Sequence, residues 1–283
     1  MDPRRLLSAT AHAVQRRLRP AAPALTARLT WAIKRRQDGH ALAVVDALVG
    51  PGDAVVDAGA NWGLFAARFA RLVGAAGQVD AFEPFPAHAA TLGALARRNP
   101  QLAVHAVALS SAPGTAALHV PIVDGRRVTP LASLGAPAAG VEHDVVSVPV
   151  QTLDAALAGR RAPSFVKIDV EGLELEVLRG AGATLRGRPV LLVEIEQRHQ
   201  DAPIGATFAH LAALGYAGRF FGPRGLAPLA DFDVERDQLA HLGPGVEEYG
   251  MPDGYVADFL FADPALDVEG LLELGRARAR RRA

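Results

Sequence analysis

The chain has 283 residues, half of them hydrophobic, enough to bury roughly three quarters of its extended-chain surface in one packed domain with appendages. It contains no cysteine, which excludes a disulfide framework, a thiolate zinc site, an iron–sulfur cluster and a cysteine nucleophile. The zero net charge hides an imbalance: residues 1–36 hold nine Lys/Arg and one acid (+8), the last eight hold five arginines (+5), and 37–275 is left at −13, a sign that argues against nucleic-acid binding by phosphate neutralisation.

At the N-terminus, Leu7, Ala11, Val14 and Leu18 fall at helical spacing among Arg4, Arg5, Arg16 and Arg17. This predicts a basic helical arm over 1–36, which caps its own domain or touches an anionic membrane or protein partner. Arginines stand where a signal peptide needs a hydrophobic segment, and no apolar run approaches the ~18 residues of a bilayer span. A soluble, cytoplasmic protein is expected.

From Gly50 short apolar runs alternate with alanine-rich helical stretches: DAVVDAG, NWGLFAARFARLVG, GQVDAFEP, PAHAATLGALARRN and LAVHAVALS, then SFVKIDVEG, ELEVLRGAGATL, RPVLLVEIEQ, FAHLAALGY and GYVADFLFAD. Strands this short and apolar on both faces predict an α/β fold, a largely parallel sheet with helices on both faces. Residues 114–150 break the rhythm and read as a hairpin-like excursion with a long Pro/Gly-rich loop.

Ligands of open α/β sheets bind beyond the carboxyl ends of the strands. The first strand ends in Asp57-Ala58-Gly59-Ala60-Asn61-Trp62-Gly63, a turn whose glycines let a ligand approach the backbone. Asn61 stands where the dinucleotide fingerprint needs its second glycine, and Gly63 is wrongly spaced. That argues against NAD, FAD and a nucleotide-dependent oxidoreductase. Asp57 would repel a pyrophosphate but suit a cationic amine. Glu83 ends the second strand, twenty residues after Gly63, where an acid can accept hydrogen bonds from a ribose diol. An amine, a ribose and no pyrophosphate describe S-adenosylmethionine.

Lys167, Asp169 and Glu171 alternate with Val166, Ile168 and Val170, so a period of two places all three polar groups on one face. Burying three charges mid-strand is expensive, which predicts that they sit at the mouth of a cleft. Lys167 is either functional or the structural ion-pair partner of Asp169 or Glu194. Glu194 and Glu196 share a face of the next strand, with His199 just beyond it. Imidazole is the natural base at neutral pH, so His199 is the expected general base; a desolvated Asp169 or Glu171 is the competitor. Asp169, Glu171, Glu194 and His199 would suit magnesium or manganese, but nothing in the spacing fixes a ligand geometry and no metal is predicted.

The segments PGDAVVDAGANWG (51–63), VDAFEPFP (79–86), HAVALSS (105–111), VKIDVEGLELEVLRGA (166–181), PVLLVEIEQRH (189–199) and GYVADFLF (254–261) resemble the FkbM family of S-adenosylmethionine-dependent methyltransferases. The KIDVEG-x-E-x-x-VL-x-G block is the most distinctive of them. The resemblance implies the Rossmann-like, seven-stranded class I methyltransferase sheet with its last strand antiparallel. The domain would span 37–262, between the arm and a C-terminal extension over 263–283 that ends in the Arg-rich tail. By the same resemblance Asp57, Gly59, Asn61 and Gly63 hold the methionine part of the cofactor, Glu83 the ribose, and Ala108, at the end of the third strand, lies against adenine with Ser110 nearby. Asp169 ends beside the sulfonium, and Glu171 and Gly172 complete its motif. Where many relatives carry an asparagine pair, this chain has Ala257-Asp258. The implied activity is O-methylation of a sugar, glycan or glycosylated natural product, so the expected partner is a small-molecule or carbohydrate acceptor. The loop 121–141 and a rim of Phe220, Phe221 and Arg224 are expected to select it. A non-catalytic protein that keeps the fold and the cofactor is the alternative.

Overall fold

A computed structural model describes residues 26, 27, 30, 39–123, 126, 127, 129, 132–135, 142–200, 202–222, 225–243, 252 and 254–273. Most of the basic arm, the Arg-rich tail and Arg224 lie outside the described residues. After helix α1 (Gly39–Leu48) the chain alternates β1 (Ala54–Ala58), α2 (Leu64–Val73), β2 (Gln78–Phe82), α3 (Pro86–Ala96) and β3 (Leu102–His105). The excursion follows: β4 (Ala108–Leu109), β5 (Gly114–Val123), β6 (Arg126–Arg127) and β7 (Glu142–Gln151). The main sheet then resumes through α4 (Leu153–Ala156), β8 (Phe165–Ile168), α5 (Glu174–Arg179), α6 (Gly182–Arg186), β9 (Val190–Glu194), α7 (Gly205–Ala213), β10 (Ala217–Gly222), β11 (Gly225–Pro228), α8 (Val234–Asp237) and β12 (Asp258–Ala262).

The main sheet runs β11-β10-β12-β9-β8-β1-β2-β3. From β3 to β9 neighbouring strands are parallel, and β12 inserts antiparallel between β9 and β10. Seven of these strands form the expected methyltransferase sheet. The eighth, β11, was not expected; it is the return arm of a tight hairpin from Gly222 to Gly225. Every residue of β1 is buried, because apolar layers cover both faces. One layer centres on Val45, Phe69, Val73, Leu92 and Leu95, the other on Leu153, Val177, Leu178, Leu211 and Phe259. Phe220 and Phe221, expected on an acceptor rim, are instead core residues, 4 % and 9 % exposed. They sit inside β10 rather than beyond a strand end, so burial in the two layers claims them.

The excursion is a second sheet of order β4-β7-β5-β6. Its hairpin pairs Gly114 with Val150 through to Ile122 with Glu142, and its inner face (Leu118, Val120, Val148, Val150) closes over Phe85 and Ala108. Among the described residues no helix is long and apolar enough to cross a membrane. The order of connections reverses between β1 and β8, which makes their carboxyl ends the topological switch point where such sheets bind ligands.

Candidate active site

At that switch point the end of β8 crowds against the loop after β1. A Cβ on Gly59 would lie 1.7 Å from the Asp169 carbonyl oxygen, and its φ is +76°, so only glycine fits. The Gly59 and Ala60 amides both donate to the Phe82 carbonyl (3.0 and 2.9 Å), and the Asn61 amide donates to Glu83 Oε2 (2.8 Å). Asn61 itself has φ +50°, which its short side chain tolerates by accepting from the Trp62 amide (2.9 Å). Glu83 Oε1 accepts from the Phe85 amide (2.8 Å). Two backbone donors therefore fix the carboxylate, and of its roughly four lone-pair positions two remain for a ligand.

Gly59, Asn61, Glu83 and Asp169 line one cavity of about 630 Å³, its open mouth included, within the range of small-molecule sites. Phe82, Pro84, Val107, Ala108 and Leu109 form its apolar wall, and Leu118, Thr129, Ala132 and Leu134 of the excursion roof it. Ala108 thus lines the cavity, although β3 already ends at His105 and Ala108 pairs with Val150 in the second sheet. Ser110 is not among the lining residues. Gly63 is not either; a Cβ there would strike Leu92 and Leu95 (2.8 and 2.7 Å), so this glycine serves the packing of α3 against the turn.

Asp57 and Glu83 do not share the hollow. In parallel register Asp57 stands beside Lys167, so both side chains leave the same face of the sheet, beneath the cavity floor. Asp57 is 0 % exposed, and the Lys167 ammonium lies 3.6 Å from its Oδ1. Burial pushes the Asp57 carboxyl up to about 6 against the pull of Lys167. Burial draws the Lys167 ammonium down, but Asp169 at 3.0 Å and Asp57 outweigh it and hold the group above its ordinary range. Lys167 also lies 4.7 Å over the Phe65 ring. It is a buried cation supporting Asp169, and Asp169 is the carboxylate that faces the cavity.

Strand β8 stops at Ile168, so the alternation does not carry Lys167, Asp169 and Glu171 along one strand face. The chain turns instead: Glu171 has φ +56° and Gly172 +99°. Glu174 holds this turn by accepting from the Val170 and Gly172 amides (3.3 and 2.9 Å), and Ser133 of the excursion donates to the Glu171 carbonyl (2.7 Å). A Cβ on Gly172 would lie 2.3 Å from the His199 carbonyl oxygen, so the turn and the Gln197–His199 segment pack directly together. Glu171 lines the cavity and its Oε2 lies 3.1 Å from His199 Nδ1, with Glu196 behind at 3.7 Å. His199 is not itself a lining residue. Burial, then the carboxylates of Asp169, Glu196 and Glu174, hold the Glu171 carboxyl well above its ordinary range. Burial lowers the His199 imidazole. Glu194 is raised by burial and by Asp169 and Asp258, the latter directly opposite on β12.

Two residues of this site carry no sequence signal of their own: His88, which lines the cavity from α3, and Ser133, which reaches Glu171 from the excursion. A histidine five residues after the strand-end acid could have been noticed; Ser133 depends on a long-range pairing with His119 that nothing local announces. Among the described residues no group of three or more His, Asp or Glu side chains is placed to hold a metal ion.

Residues 57–218 match the model of the methyltransferase FkbM domain. Among solved structures, an FkbM methyltransferase from Methylobacillus flagellatus KT is 18 % identical, with a TM-score of 0.46 over 74 % of this chain; the match spans 43 % of that protein's length. An S-adenosylmethionine-dependent O-methyltransferase from Thermotoga maritima is 13 % identical, with a TM-score of 0.41 over 79 % of this chain and 64 % of its own. Fibrillarin from Aeropyrum pernix, with natively bound S-adenosyl-L-methionine, is 9 % identical, with a TM-score of 0.42 over 76 % of this chain and 68 % of its own. No curated protein matches the sequence. With the family model covering more than half of its length, the chain belongs to the FkbM family of S-adenosylmethionine-dependent methyltransferases.

Proposed function

We propose that the chain methylates a hydroxyl oxygen on a sugar, glycan or glycosylated natural product. The observation that carries this reading is one cavity lined together by Asn61, Glu83, Asp169 and Glu171, with His199 paired to Glu171 at 3.1 Å. The cavity fits the cofactor on three counts. Gly59 leaves the floor bare of side chains, Glu83 keeps acceptor capacity for a diol, and the Phe82, Pro84 and Ala108 wall suits a flat heterocycle. Bound there, S-adenosylmethionine supplies a methyl group already activated on a sulfonium.

The chain's own work is then positioning and proton removal. Asp169 offers negative charge to the sulfonium, held in place by Lys167. Glu171 faces the acceptor and takes the proton from its hydroxyl as the new carbon–oxygen bond forms; its raised carboxyl makes it a stronger base than an ordinary carboxylate. His199 fixes the Glu171 oxygen and passes the proton on toward solvent. The apolar roof of Leu118, Ala132 and Leu134 excludes water from the transfer.

The test is transfer of a radiolabelled methyl group from S-adenosylmethionine to a panel of glycosides. Glu171→Gln should cut turnover by roughly 10²–10⁴, the usual contribution of a general base, while leaving affinity for S-adenosylhomocysteine intact. Cofactor binding without transfer to any acceptor would favour the non-catalytic alternative. Undiminished transfer by Glu171→Gln would remove Glu171 from this role.

A further inference from the structure

His88 lies in the first turn of α3 and is 1 % exposed, yet it borders the cavity. Its ring packs against Trp62 (centroids 3.8 Å apart) and meets Phe85 edge-on at 4.9 Å. Nε2 is 3.0 Å from Thr129 Oγ1, and Nδ1 faces Glu83 Oε1 at 3.6 Å. A carboxylate beside Nδ1 favours the tautomer with its proton there, which leaves Nε2 to accept from the Thr129 hydroxyl. At 3.6 Å the Nδ1–H and the carboxylate are too far apart for a good direct hydrogen bond. A hydroxyl set beside both satisfies each at once, accepting from Nδ1–H and donating to Glu83.

We propose that His88 and Glu83 together bind a hydroxyl of the cofactor's ribose, the imidazole donating and the carboxylate accepting, with Thr129 of the inserted hairpin fixing the imidazole tautomer. This rests on the reading of the cavity as the cofactor site and adds to it a residue that the sequence pattern does not mark. It also gives the hairpin a part in holding the cofactor, since Thr129 belongs to the excursion and His88 to helix α3 of the main domain.

The experiment is calorimetric titration of S-adenosylhomocysteine and its 2′-deoxy and 3′-deoxy ribose analogues into the full chain. The wild type should prefer the ribose form over at least one of the deoxy analogues. His88→Phe keeps a ring against Trp62 and Phe85 but loses the donor; it should bind S-adenosylhomocysteine roughly tenfold more weakly, the scale of one hydrogen bond, and lose that preference by a similar factor. Thr129→Val preserves shape and should move the preference in the same direction, deciding the matter if His88→Phe does not fold. A purely structural histidine would weaken all three ligands alike. An unchanged preference in these variants, alongside weakened binding by Glu83→Ala, overturns the role of His88 and leaves the cofactor site standing. Failure of S-adenosylhomocysteine to bind the wild type overturns both.

Discussion

Asp57 and Glu83 end neighbouring strands, and by spacing alone they look equivalent. Pleating separates them: Asp57 is still inside β1, registered beside Lys167 under the floor, whereas Glu83 has left β2 and is turned into the cavity by the Asn61 and Phe85 amides. Glu83→Ala should therefore weaken S-adenosylhomocysteine binding by ~1–3 kcal/mol, the scale of hydrogen bonds to a charged group, as read by calorimetry. Gly59→Ala tests the floor itself. A methyl group 1.7 Å from the Asp169 carbonyl, on a residue at φ +76°, forces β1 and β8 apart, and denaturant unfolding should show a loss of at least about 2 kcal/mol. The need for Gly59 and the strand-end position of Glu83 were legible in the sequence, the first as a turn requirement and the second from its spacing after Gly63. The burial of Asp57 was not, because it depends on which strand lies beside β1.

The turn 169–174 carries the residues of the proposed chemistry, and its hydrogen bonds tie it into one unit. Sequence alternation correctly brought Lys167 and Asp169 together, then failed at Glu171 because β8 ends at Ile168 and the backbone goes left-handed. The anchor of the turn, Glu174, carries a pH signature: burial lifts its carboxyl to about 7 despite its backbone hydrogen bonds. A carboxyl raised in the folded state contributes stability that is full below its unfolded value near ~4.5 and is lost as pH rises through about 7. Melting temperatures of Glu174→Gln should thus fall less between pH 5 and pH 8 than those of the wild type; an equal fall would place the pH response elsewhere. Turnover has the opposite pH dependence: as the proposed base Glu171 must be deprotonated, and since burial and neighbouring carboxylates raise it, the acid limb of kcat should lie above the ordinary carboxylate value. His199→Ala, which removes the imidazole 3.1 Å from its Oε2, should shift that limb. Across β9 and β12, Glu194 faces Asp258, like charges directly opposite. Asp258→Asn should relieve that repulsion and bring the raised Glu194 carboxyl back toward its ordinary range, as read by an NMR pH titration.

At the scale of the whole molecule, two sheets meet over one cavity. The parallel main sheet followed from the apolar runs, and its antiparallel last strand from the family resemblance. The extra strand β11 escaped notice because GLAP has no strand pattern of its own and is recruited by pairing with Phe220 and Phe221. The excursion was visible as a break in rhythm and its loop 121–141 was expected at the acceptor site; which of its residues line the cavity (Thr129, Ala132 and Leu134 among those described) depends on tertiary packing that nothing local announces. Side-by-side calorimetry with S-adenosylhomocysteine and NAD on the wild-type chain decides whether this roofed cavity is the seat of the methyl donor. S-adenosylhomocysteine should bind saturably, one to one, with no heat from NAD; binding of NAD with none of S-adenosylhomocysteine would rule that seat out.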